Sequence, residues 1–144
     1  KAPSFRMIST NLESVIIRGD IHMLYEIPQS SSWSTMIFAH LNPQSTFNNE
    51  TGSMGILGGG RLYLDKINPS VPLFLQGMLG FNYFSSWDLF ISVEFGHRIK
   101  WMDSIFLDLS AVINRSYSNE ALDPMAYLKA NLSFKLDQPL LPFL

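Results

Sequence analysis

Apolar and polar residues alternate with a period of two along most of this chain, and the alternation stops only at turn-rich breaks. Between residues 73 and 84, Leu73, Leu75, Leu79, Phe81 and Tyr83 fall on one face of an extended segment, and Gln76, Gly80 and Asn82 on the other. Between residues 88 and 100, Leu89, Ile91, Val93, Phe95 and Ile99 share one face, while Asp88, Ser92, Glu94, Arg98 and Lys100 share the opposite one. Successive strand side chains point to opposite faces, so each segment predicts a strand with one apolar and one polar side. Breaks at 28–32, 42–52, 65–72, 85–88, 100–103 and 114–124 are rich in Pro, Gly, Asn, Ser and Asp. They leave eight strands near 5–12, 19–28, 33–42, 53–65, 73–85, 88–100, 104–115 and 126–136, with Glu13 to Arg18 either extending the first or connecting it to the second. Strands of about ten residues exceed the common globular length of about five or six. They match what a tilted strand needs to cross a bilayer, and an even number closes an up-and-down barrel. The expected fold is all-β: an eight-stranded antiparallel up-and-down transmembrane barrel. It forms a single domain over 1–144, with the barrel at about 5–136 and a Pro-containing tail at 137–144.

Composition sharpens this picture. Charged residues make up 15% of the chain against about 25% for an average soluble domain, so part of the surface is expected to avoid water. No charge occurs between Lys66 and Asp88, a span long enough for a membrane helix. Its Pro69, Pro72, Gly77 and Gly80 and its alternating polarity favour a strand instead. A net charge of -2 and the lack of a basic run give no reason to expect nucleic acid. Without cysteine there is no disulfide framework and no thiolate chemistry. The chain opens at Lys1-Ala2-Pro3 with no apolar signal core, so an export signal is expected to have been removed already.

Loop lengths orient the expected barrel. With both termini on the periplasmic side, the long third and seventh connections lie outside, as such barrels prefer. The fifth is short for that side and the fourth long for the other. In this orientation Trp33, Phe74 and Trp101 fall at the periplasmic ends of three strands, and Tyr83, Phe84, Trp87 and Tyr117 at the opposite ends. Two aromatic bands bracketing an aliphatic zone are what membrane interfaces select.

The polar faces carry the charge. Asp20, Glu26, Arg61, Glu94, Arg98, Asp108, Lys129 and Lys135 are expected to form an interior network, because an eight-stranded barrel is filled by side chains and buried charges must pair. Arg98 and Asp108 should sit almost opposite each other across the hairpin at 101–103. No catalytic, cofactor or metal site is expected. The run Gly58-Gly59-Gly60 lacks the following Lys-Ser/Thr of a phosphate loop; it should ease strand curvature or make room for Tyr63 or Arg61. His22, His40 and His97 lack ligand spacing and read as surface or girdle residues.

The segment Lys129-Ala130-Asn131-Leu132-Ser133-Phe134-Lys135-Leu136 resembles the terminal strand signal of bacterial outer-membrane proteins, with Phe134 and Leu136 as its apolar-x-apolar end. It departs from that pattern in having Asn131 where Gly is usual and in continuing to Leu144. Further short segments are similar to a family of small outer-membrane barrels of unknown function, frequent in Bacteroidota and of OmpA-like architecture. These are Ser9-Thr10-Asn11-Leu12, Leu24-Tyr25-Glu26, Ser32-Trp33-Ser34, Gly59-Gly60-Arg61-Leu62-Tyr63-Leu64 and Leu79-Gly80-Phe81-Asn82-Tyr83. The resemblance implies an outer-membrane barrel and carries no activity with it. The expected function is a non-enzymatic structural or accessory role in the bacterial outer membrane, in contact with lipid and with a partner such as a larger outer-membrane complex. Loops and tail would make the contacts, through Phe47, Asn49, Tyr117, Leu140, Leu141 and Phe143. Two alternatives stand beside it. One is an outer-membrane lipid hydrolase, although Arg98-Ile99 follow His97 where a His-x-Ser motif is needed. The other is a soluble lipocalin-like ligand-binding barrel with the apolar face turned inward.

Overall fold

The computed structural model describes residues 5–42, 54–83, 86–117 and 125–137. Eight strands follow one another: β1 (Arg6–Asn11), β2 (Ile21–Pro28), β3 (Trp33–Leu41), β4 (Met54–Tyr63), β5 (Phe74–Tyr83), β6 (Trp87–Met102), β7 (Ile105–Ser116) and β8 (Met125–Leu136). Each pairs antiparallel with the next, and β8 pairs with β1, closing the barrel. The segment after β1 is a connection: a π-helical turn at Ser14–Arg18, ended by Gly19 at φ 66°, leads into β2. A 3-10 turn at Leu64–Lys66 opens the connection after β4. β6 runs further than its sequence pattern suggests. Trp101 belongs to the strand as a bulge between Lys100 and Met102, and only Asp103 and Ser104 make the turn.

The pairings define the barrel's shape. From Phe90 on β6 they lead through Gly80, Leu57, Phe38, Leu24, Ser9, Ser133 and Phe106, and return to β6 at Lys100, ten residues further along. Eight strands with this stagger are tilted by about 35–45° to the axis and leave an interior that side chains can fill. All residues on that path face inward.

Polarity is inverted relative to a water-soluble barrel. Leu128 is 80% and Ile113 56% exposed on the outside, while Arg61 and Asp108 are 0% exposed within. Among the described strand residues, Glu26, Asp88, Glu94, Asp108, Arg61, Arg98, Lys100, Lys129 and Lys135 share the inward parity. Only Arg6 and Arg115, near strand ends, carry charge on the outward one. This is opposite to the arrangement a lipocalin-like barrel requires. On the outer face Trp33 lies against Gly60, where a Cβ would collide with the indole. That contact accounts for Gly60 better than room for Tyr63 or Arg61, which lie on the inner face with Gly59.

The outward aromatics hold most of the expected positions: Trp33, Trp87, Trp101 and Tyr117 are exposed, and the Tyr83 ring packs 5.3 Å from that of Trp87. Phe74 is a correction. It is fully buried in the lumen because it shares the parity of Gln76 and Met78, and cannot belong to an outer band. Phe84, Phe47, Asn49, Leu140, Leu141 and Phe143 lie outside the described residues.

Candidate functional site

The lumen has two parts. At the end where β1 begins and β8 finishes, hereafter the near end, it is filled by ion pairs; toward the far end it opens into a cup.

Four charged side chains from four strands make the first part. Asp108 of β7 accepts two hydrogen bonds from Arg98 of β6, at 2.7 Å to each carboxylate oxygen, and a third from Arg61 of β4, also at 2.7 Å. Arg98 and Asp108 are register partners, so the hairpin brings them together as its sequence suggests. Glu26 of β2 closes the group from across the barrel: its Oε2 lies 3.1 Å from Arg98 and 3.7 Å from Arg61, without hydrogen-bond alignment. Tyr63 links them by donating to Glu26 Oε1 at 2.5 Å while accepting from Arg98. The Arg61 guanidinium lies 4.0 Å over the Phe74 ring, which explains why an aromatic residue is buried there.

Beside this quartet stands a second neutral pair. Lys129 donates to Glu94 Oε2 at 2.5 Å and Ser110 to Glu94 Oε1 at 2.7 Å. Gln76 bridges the two groups, accepting from Arg61 Nε at 2.9 Å and donating to Glu94 at 3.1 Å. Three acids thus balance three bases in a layer that spans the lumen. Burial makes each partner obligatory, since an isolated charge in such a place is prohibitively costly. The layer can hold its own members in fixed geometry across the lumen.

Two expected members stand apart. Asp20 lies just before β2 at the far mouth, and Lys135 sits at the near end with its ammonium 5.1 Å from the Phe5 ring. Tyr63 and Gln76 are not among the residues expected in the interior network, although Gln76 already stands on the polar face of its strand. Their inward parity, shared with Arg61 and Glu94, is the signal that could have found them. In the β6–β7 turn the Lys100 ammonium, 2.9 Å away, holds the Asp103 carboxyl below its ordinary range.

Above the layer, Leu24, Met36, Leu57 and Met78 form an apolar collar with Phe38 and Phe90 against it. A cavity of about 330 Å³ opens over Gln76, Glu94 and Lys129 and is walled by much of this collar. Its mouth carries a polar row set by register: His22 pairs with His40, His40 with Gly55, Gly55 with Asn82, and Asn82 with Asp88. His22 and His40 therefore face the lumen, their rings 5.5 Å apart, and are not surface or girdle residues. His97 does face outward, with Nδ1 against the Pro72 carbonyl. Among the described residues no group of three or more His, Asp or Glu side chains is placed to hold a metal.

Comparison of the chain with protein-family models, with curated proteins and with solved structures found no match.

Proposed function

We propose that this chain inserts into a bacterial outer membrane as a non-conducting barrel and serves there as a structural or accessory protein. Its work is done through loop or tail contacts with partner proteins and not by chemistry. One observation carries the reading: the outer face is predominantly apolar, its charges limited to Arg6 and Arg115 near strand ends, and the other strand charges face inward, six of them in a neutral layer. An apolar exterior of this extent is what lipid covers, and a lumen filled by paired side chains leaves no path for ions. Trp33, Trp101, Trp87, Tyr83 and Tyr117 would lie at the two interfaces. The placement among small Bacteroidota barrels rests on the resemblance of the β8 strand and the short segments.

Serines on the inner face are poorly placed to attack lipid: Ser110 donates to Glu94, and Ser9 shares a hydrogen bond with Ser133. The long connections after β3 and β7 and the apolar tail remain the sequence's candidates for partner contact. Two experiments test the proposal. The purified barrel in a planar bilayer should give no discrete conductance steps; steady steps would refute the closed lumen. Truncation after Asp137, or replacement of 46–51 by a Gly/Ser linker, should abolish a native co-purifying partner while the barrel stays in the membrane fraction. A full-length protein that extracts from native membranes and cross-links only to itself would refute the accessory role.

A further inference from the structure

The far half of the lumen is built differently from the near half. Below, the acids and bases of the layer answer one another as ion pairs, even where Glu26 Oε2 and Arg61 Nη2 lack an aligned hydrogen bond; above, buried acceptors stand outside any such layer. Asp20 Oδ1, Asn82 Oδ1 and Asn114 Oδ1 are all shielded and lack a donor, and all three residues line the same cavity. Asn82 is 4% exposed, so it is an integral part of the wall and not a surface amide. Gly55 makes its position possible, because a Cβ there would strike both Asn82 Oδ1 and the His40 ring. Such a cluster of acceptors without donors departs from the usual satisfaction of buried polar groups.

The rest of the cavity supplies the other half of a recognition site. Its volume of about 330 Å³ falls in the range of small-molecule pockets. Leu24, Phe38, Leu57, Met78 and Phe90 give it an apolar wall, and Lys129 at the floor is already neutralised by Glu94. The sign of the missing partner follows from Asp20. A carboxylate can only accept hydrogen bonds; no Arg or Lys of the described ion pairs reaches it, and the basic group beside it is the His40 ring of the same cavity.

We infer that the far half of the barrel binds a small amphipathic cation, a primary ammonium carried on a compact apolar body. The ammonium sits at the mouth among Asp20, Asn82 and Asn114, and the apolar body enters the collar below. An ammonium offers donors and a positive charge, the complement of a cavity whose unsatisfied groups are acceptors and include a carboxylate. The site concerns the lumen alone and is independent of any partner contact.

The test uses the full chain folded in maltoside micelles and 2-phenylethylammonium as the probe, followed by the amide resonances of Gly55, Leu57 and Asn82. Two matched controls are 2-phenylethanol, which lacks the charge, and 3-phenylpropanoate, which reverses it. The expected result is saturable shifts with the amine, with either control weaker by about tenfold or more. Asp20→Asn should weaken the amine by a similar factor, and Leu57→Trp, which fills the collar, should abolish saturation. Absence of saturable shifts, equal shifts with the alcohol or the anion, or unaltered affinity in Asp20→Asn would overturn the inference. Should Asp20→Asn fail to fold, the comparison of amine, alcohol and anion on the parent chain decides alone.

Discussion

Replacing Asp108 by Ala removes the carboxylate that two guanidinium groups share. In the parent, Asp108 takes three hydrogen bonds at 2.7 Å from Arg98 and Arg61, and a longer one at 3.5 Å from Ser133. Without it, Arg61 and Arg98 retain one carboxylate between them, Glu26, which lies 3.7 and 3.1 Å away and is poorly aligned. A net positive charge is then left in a place where Arg61 is fully enclosed. Charge-assisted hydrogen bonds contribute about 1.5–3 kcal/mol each, but members of one network are not additive. Breaking a buried pair by removing one partner costs about 3–5 kcal/mol, and that is the expected loss. With a urea dependence of about 2 kcal/mol/M, the unfolding midpoint in lipid vesicles should fall by about 1.5–2.5 M. The double variant Asp108→Leu/Arg98→Met, which removes both charges, should lose less than Asp108→Ala alone. Asp103→Ala, which deletes an exposed turn carboxylate paired only with Lys100, should leave the midpoint unchanged. An Asp108→Ala protein with the parent's midpoint would refute the burial and pairing of the layer.

Three further outcomes are expected. Leu79→Arg, on the outward face of β5 at 52% exposure, should lower stability in a bilayer by about 2–4 kcal/mol if the site lies at mid-depth, measured by urea titration in vesicles; a neutral result would mean that this face meets water. Gly60→Val should displace the Trp33 indole and cost about 1–3 kcal/mol, with an altered tryptophan emission as the local sign; unchanged emission would refute that contact. Glu94→Gln should leave Lys129 without its counter-charge and lower the melting temperature, and Glu94→Gln/Lys129→Gln should recover part of the loss; equal melting temperatures in all three proteins would contradict a desolvated pair.

The barrel was legible in the sequence because alternation is a local property. Each strand buries one parity, so the faces of β5 and β6 could be assigned without knowing their neighbours. The Arg98–Asp108 pair was legible for a related reason: a tight hairpin fixes register between adjacent strands. Glu26 meeting Arg98 could not be read in this way, since β2 and β6 are not neighbours. Only closure with its ten-residue stagger brings them across the lumen. Phe74 was misplaced by its position at a strand end, although its parity already put it inside, where Arg61 needs an aromatic face. His22 and His40 show the same limit in reverse. Separation along the chain hid a register pairing that sets them side by side at the mouth.

The inverted barrel is tested most directly by semi-native gel electrophoresis of the detergent-extracted membrane fraction, with and without boiling. A closed barrel with a lipid-facing exterior should fractionate with membranes and migrate as a compact species until heated, then shift to the mobility of the unfolded chain. Recovery in the soluble fraction, with identical mobility before and after heating, would contradict it.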